Sequence, residues 1–180
     1  LNLYSYDNQW IMVDCGISFA DDYLPGIDLI MPNIEFLDNI KDDLMGLVLT
    51  HAHEDHIGAV IHLWPEFRCP LYATPFTAII LRAKLAEAGY LDQAVIHEIP
   101  LGGSFSLGKF DIEYVTLTHS IPEPNALYIK TPLGNIFHTG DWKLDPEPVV
   151  GEPTDEQRLK EIGDDGVLAI VCDSTNVFNE

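Results

Sequence analysis

Short apolar runs separated by turn residues dominate the chain, and the spacing of their apolar positions alternates between two and about 3.6 residues. Residues 1–6 and 10–14 read as two strands around Asp7-Asn8, the pattern of a hairpin. Residues 15–33 read as loop, broken by Pro25-Gly26 and Pro32. A helix is predicted over 34–44, a buried strand over 46–50, and a helix over 56–64 that stops before Pro65. A short strand near 71–73 precedes the clearest helix, 75–88, with Thr74 as N-cap, Pro75 at the first helical position and Gly89 as its stop. Strands follow over 94–99, 104–107, 110–117, 125–131 and 135–139, with Pro132-Leu133-Gly134 turning between the last two. Residues 144–153 are rich in proline and acid and read as a loop or linker. Residues 154–162 read as a capped helix and 167–172 as a buried strand. Hairpins followed by helices predict a two-sheet α/β sandwich rather than a doubly wound parallel sheet.

Composition narrows the class. The chain of 180 residues is long enough for one domain with a real core, or for one domain plus the start of another. Its apolar content of 47% excludes disorder, no apolar run reaches the length of a membrane span, and no signal-peptide pattern opens it. It begins with Leu1 rather than Met, and its last residues follow directly on a hydrophobic strand, so a piece of a longer protein is expected. Cys15, Cys69 and Cys172 are isolated, which argues against a disulfide framework or a thiolate zinc site and for the cytoplasm. The net charge is −20, from 29 acids against nine Lys and Arg, and no basic stripe stands out. A solvated acidic surface is the main reading; any anionic substrate must be drawn by metal ions or by protein outside these residues.

The chemistry concentrates in HAHEDH, directly after the predicted strand 46–50. Chance would place HxHxDH in such a composition roughly once in a thousand chains. Imidazole nitrogen and carboxylate oxygen suit borderline metals such as zinc. Alternate side chains of an extended loop point the same way, so His51 and His53 can share one ion while Asp55 and His56 turn toward a second. Further candidates follow later strands: His119 in Thr118-His119-Ser120, and Asp141 in His138-Thr139-Gly140-Asp141, where Gly140 permits close backbone approach. His62 and His97 lack such a context and read as structural.

HAHEDHIGA, the earlier Asp14, THS and HTGD together resemble the four ordered motifs of the metallo-β-lactamase superfamily. More narrowly, THSIPEPNALYIKTPLGNIFHTGDWKLDPEP, VCDSTN, and VDCGISF followed by PGIDLIMPN resemble the ribonuclease J branch of the β-CASP nucleases. The resemblance covers nearly the whole chain. It implies the αββα sandwich, with a partial metallo-β-lactamase domain over 1–150 and a linker plus the start of a truncated β-CASP domain over 151–180. It implies His51, His53 and His119 on one metal, Asp55 and His56 on a second, and Asp141 bridging the two. Asp14 orients the ligand loop from behind, Asp173 matches the first acidic motif of the β-CASP region, and Ser120 is the candidate substrate contact. A further histidine ligand is expected beyond residue 180. Ala59 stands where Gly is common, and Pro124-Asn125 replaces the small or acidic residues often found there.

The implied cofactors are two divalent ions, zinc first, with manganese or magnesium as alternatives. The implied activity is hydrolysis of RNA, 5′-to-3′ and also endonucleolytic, with a preference for a 5′-monophosphate, in a homo-oligomer joined through regions outside these residues. The chemistry is assigned to a metal-activated water, with Asp55 and Asp141 as the catalytic carboxylates. Two other readings stay open: a small-molecule hydrolase of thioesters, lactones or lactams on the same fold, and an inactive metal-binding fragment.

Overall fold

The computed structural model describes residues 1–175 and 177. β1 (Asn2–Tyr6) and β2 (Gln9–Val13) pair as the expected hairpin, with Asp7 and Asn8 turning between them at φ of 48° and 61°. Asp and Asn enter this left-handed region more readily than other side chains. The loop that follows carries only a small ribbon, β3 (Ser18–Phe19) against β4 (Leu29–Ile30). β5 (Leu44–Val48) then runs parallel to β2, and β6 (Leu71–Ala73) and β7 (Ile96–Glu98) extend the sheet in parallel, giving the order β1-β2-β5-β6-β7. The second sheet is built from β8 (Ser104–Leu107), β9 (Phe110–Thr116), β10 (Asn125–Thr131), β11 (Gly134–His138) and β12 (Ala169–Val171). Its order is β12-β11-β10-β9-β8, antiparallel except for the β11–β12 pair.

Alternation along the strands sets the layers. Ile11, Val13 and Val48 of the first sheet meet Phe110, Ile112, Tyr114, Leu127 and Ile129 of the second in one buried cluster. Met12 and Leu47 face the other way, onto α2 (Val60–Phe67) and α3 (Pro75–Glu87), which contribute Val60, Trp64, Leu81 and Leu85. On the far side, Val115, Ala126 and Tyr128 pack against Ile162 of α4 (Glu156–Asp165). The layers are therefore helix, sheet, sheet, helix, as the sequence implied. Each fully buried Leu or Ile in them stabilises the fold by about 1.5–3 kcal/mol.

Three elements differ from expectation. The helix predicted over 34–44 is two 3₁₀ turns, Glu35–Asn39 and Lys41–Asp43, and Leu44 already begins β5. Ile34, Leu37 and Ile40, which all pack into the helix-side cluster with Met12 and Leu47, are spaced by three, the repeat that superimposes side chains on a 3₁₀ helix rather than an α-helix. The helix predicted over 56–64 is split at Gly58 and Ala59, and its second part, α2, continues through Pro65 to Phe67. Burial of Trp64 and Phe67, with the Trp64 indole donating to the Cys69 carbonyl at 2.9 Å, offsets the backbone hydrogen bond that proline removes. The apolar strand at 167–172 forms as β12, but it is the outermost strand rather than a buried one, leaving Leu168 and Ile170 72% and 65% exposed. An apolar run shows that a strand is fit for burial; whether it is covered depends on its place in the sheet.

β2, β5, β9 and β11 all finish at the same end of the sandwich, because β9 and β11 both lie antiparallel to β10. The segments carrying Asp14, HAHEDH, His119 and Asp141 are thereby brought together.

Candidate metal centre

The HAHEDH segment leaves β5 as an extended loop and enters the single-turn helix α1 (Glu54–Ile57). Its backbone is gripped from behind by the segment after β2. Cys15 N–H donates to the His56 carbonyl at 2.7 Å, Ile17 N–H to Glu54 at 3.0 Å, and Ala59 N–H to Cys15 at 3.0 Å. Gly16 lies between these bonds, and a Cβ there would stand 1.7 Å from the Asp55 carbonyl oxygen. Only glycine lets the two backbones come this close.

His51 Nε2 and His53 Nδ1 are 3.1 Å apart, and with a His119 nitrogen they form a group whose ligand atoms lie within 4.8 Å of one another. A second such group is His51, His56 and Asp141. Asp141 faces both: one carboxylate oxygen is 3.1 Å from His56 Nε2 and the other 3.7 Å from His119 Nε2. Donor atoms bound tetrahedrally at zinc–nitrogen distances stand about 3.3 Å apart, so the closest of these contacts suit a shared ion without rearrangement. Five of the six proposed ligands fall in these groups. Asp55 stands outside them, its carboxylate 3.8 Å from His56 Nε2 and 65% exposed at the cleft mouth.

The outer hydrogen bonds fix which nitrogen of each ring is free. Asp14, buried at a positive φ of 56°, accepts from Thr50 N–H and from Thr50 Oγ1, both at 2.8 Å, and from His56 Nδ1 at 2.8 Å. Because Thr50 Oγ1 donates to Asp14, it accepts from His51 Nδ1 at 3.0 Å. Both rings thus turn an Nε2 lone pair toward the centre when neutral, the outer-shell arrangement found around metal-bound histidines. Burial would raise the Asp14 pKa, but the His56 and Thr50 hydrogen bonds hold it below the usual carboxylate value. Burial and the neighbouring histidines push the His51 pKa down to about 3, so that ring is neutral. For His56 burial works against the charged form, yet the hydrogen bond to Asp14 and the Asp14, Asp141 and Asp55 carboxylates outweigh it and hold its pKa up to about 9. A cation held among these groups would displace that proton.

Asp173 lines the same cleft, about 270 Å³ in volume, together with Asp14, Asp55, His56, His138 and Asp141. Its N–H donates to Thr139 Oγ1 at 3.1 Å, and its carboxylate accepts from Thr175. Ser120 is exposed and lines a neighbouring depression with His119, Ile121 and Lys143. His62 and His97 lie outside the site, His97 stacked on Tyr72 with ring centroids 4.6 Å apart. Cys15 and Cys69 are buried thiols with pKa values pushed up to about 12 by burial, and neither is a ligand.

Sequence reasoning missed Thr50 and His138. Thr50 repeats the Thr-His pair of Thr118-His119, and His138 opens the HTGD tetrapeptide, but nothing in spacing alone assigned either a role. Gly140, at φ 57°, brings Asp141 past Thr50; a Cβ there would lie 3.2 Å from Thr50 Oγ1 and 3.1 Å from the Asn125 carbonyl.

Comparison with known proteins agrees with this geometry. A family model described as "Beta-lactamase superfamily domain" matches residues 9–157. A curated relative named Ribonuclease J from Sinorhizobium meliloti is 50% identical over the whole chain, which covers 33% of that relative. Ribonuclease J 1 from Streptococcus pyogenes is 40% identical over 95% of the chain and 30% of its own length. The chain thus spans about a third of the length of these relatives. Among solved structures, the metallo-beta-lactamase fold protein YhfI from Bacillus subtilis superposes with a TM-score of 0.57 at 19% identity, covering 77% of this chain and 53% of that one. These relatives carry the name of the branch that THSIPEP and DSTN resemble, and the chain belongs to the metallo-β-lactamase superfamily.

Proposed function

We propose that the chain is the metal-binding part of a ribonuclease of the ribonuclease J type, which hydrolyses RNA phosphodiesters at two divalent ions. The observation that carries the reading is the pair of donor groups sharing His51 and facing the two oxygens of Asp141, in a chain 50% identical throughout to a protein named for this activity. His51, His53 and His119 would hold one ion, and Asp55 and His56 the other, with Asp141 between them. Bound there, two such ions lower the pKa of a water and draw charge from a phosphodiester oxygen. The chain's own groups do the rest. Asp14 holds His56 and, through Thr50, His51 in the tautomers that leave Nε2 free. Asp55, exposed at the cleft mouth, takes the proton from the attacking water on a carboxylate oxygen. Asp173 places a carboxylate on the β12 side of the cleft, and Ser120 is the candidate contact to substrate.

The second ion's ligand set is completed by a histidine beyond residue 180, and basic residues there hold the RNA, since a charge of −20 repels it. Zinc fits the imidazole-rich set best, with manganese or magnesium as alternatives. Substrate is 5′-monophosphorylated RNA, degraded 5′-to-3′ and also cut internally, by a cytoplasmic homo-oligomer. Among the described residues, no helix is long and apolar enough to cross a membrane. The test compares the full-length protein with the 180-residue chain on 5′-monophosphorylated RNA and on a thioester, with added metal. The expected result is RNA degradation by the full-length protein, weakening as salt rises, and neither reaction by the short chain. Thioester hydrolysis by the short chain, with RNA untouched by the long one, would replace this reading with a small-molecule hydrolase.

A further inference from the structure

Tyr4 and His138 form a pair that the roles above leave unused. Tyr4 lies in the middle of β1 in the first sheet, and His138 ends β11 in the second; the phenol oxygen stands 2.7 Å from His138 Nδ1. His138 is only 4% exposed, yet it lines the cleft with Asp14, Asp55, His56, Asp141 and Asp173. Among the described residues its other nitrogen, Nε2, bonds no protein group. Nor is that nitrogen sealed in: the enclosed side-chain atoms without a partner are Gln9 Oε1 and Asn125 Oδ1. Nε2 therefore opens toward the cleft.

The carboxylates around the pair select the tautomer. A neutral imidazole carries one N–H and one lone pair. If Nδ1–H donated to Tyr4, the phenol proton would need a second acceptor, and Tyr4 has none among the described residues. If Tyr4 donates to Nδ1, the phenol proton has its acceptor and the ring proton sits on Nε2, which has no protein partner in either tautomer. That N–H faces a cleft lined in part by the carboxylates of Asp14, Asp55, Asp141 and Asp173, whose negative charge favours a donor there over a lone pair.

We propose that His138 Nε2–H, oriented by Tyr4, donates a hydrogen bond to an oxygen of the phosphodiester bound in the metal cleft. The proposal rests on the nuclease reading above. It makes His138 a catalytic residue and Tyr4 a positioning residue, working through the tautomer. A preorganised donor of this kind acts on charge that grows in the transition state, so its loss falls on kcat rather than on binding.

The experiment uses the full-length protein with ¹⁵N-labelled histidine and the variants Tyr4→Phe, His138→Gln and His138→Leu, each assayed for metal content and for RNA cleavage. In the metal-free wild type, the His138 resonances should show the proton on Nε2, and Tyr4→Phe should convert them to a tautomer mixture. His138→Leu should lower kcat about 100-fold while metal content holds, and His138→Gln, which keeps an N–H, should recover about tenfold. A proton found on Nδ1, wild-type kcat in His138→Leu, or activity lost in proportion to metal would each overturn the proposal. A wild-type protein that leaves RNA intact overturns the nuclease reading and the phosphodiester contact with it, while the nitrogen resonances report the tautomer independently.

Discussion

Replacing Gly16 with alanine places one methyl group where the structure has no room for it. The new Cβ would lie 1.7 Å from the Asp55 carbonyl oxygen, 1.9 Å from its carbon and 2.5 Å from His56 N. All three are backbone atoms of the ligand loop, so no side chain can swing away. Relief requires moving the two segments apart, which stretches the Cys15–His56, Ile17–Glu54 and Ala59–Cys15 hydrogen bonds together. Overpacking of this kind costs about 1–3 kcal/mol, and the strain on three backbone bonds argues for the upper end. For a domain of this size, about 3 kcal/mol lowers Tm by roughly 6–12 °C. Because the displaced atoms carry His56 and Asp55, metal bound at the second group should weaken more than metal at His51, His53 and His119. Thermal melting followed by circular dichroism, with metal content measured after dialysis, reads both effects. A Tm within 1–2 °C of wild type with unchanged metal would refute the claim that the close approach at Gly16 holds the ligand loop.

Asp141→Asn should lose metal at both donor groups, because one carboxylate faces His56 and His119 together, whereas His62→Ala on the exposed side of α2 should leave metal content nearly intact; equal behaviour of the two would reject the site. Asp14→Asn should destabilise the metal-free chain by about 2–3 kcal/mol in urea denaturation, since the amide cannot accept both Thr50 Oγ1 and His56 Nδ1 on its nitrogen side; a change below about 0.5 kcal/mol would show that the network contributes little. Chelation should lower Tm of the wild-type chain, as an ion that binds only the folded state adds its binding free energy to stability, and metal-independent melting would argue against a resident ion.

Much of this was legible because local chemistry and global placement agreed. Asp7-Asn8 announces its turn, Thr74-Pro75 and Gly89 bracket α3, and the alternation in β9 and β10 shows which side chains meet across the sheets. The candidate ligands stood out because three imidazoles in six residues have few structural uses. The failures share a cause. Ile34, Leu37 and Ile40 fit helical spacing, and only their contacts with the core distinguish a 3₁₀ turn. Pro65 ends a helix by its local chemistry, but burial of Phe67 two residues later outweighs it. Thr50 and His138 gained meaning only when the fold set Asp14, 36 residues away, and Tyr4, 134 residues away, against them.

The candidate ligands do not belong to one half of the sandwich. His51, His53 and His56 follow a strand of the first sheet, while His119 and Asp141 follow strands of the second. Ions held in these two groups would cross-link the two sheets, closing a chain loop from residue 51 to residue 119 and another from 56 to 141. The entropy cost of closing such long loops must be met by sheet-on-sheet packing before the donors converge, so neither half alone can assemble the site. Metal capture then reports that the two sheets have docked, and chelation should loosen the molecule first along the seam where Val13 and Val48 meet Tyr114 and Leu127. Amide hydrogen exchange that quickens at that seam, ahead of α3, would be the sign of a centre that clasps the two layers together.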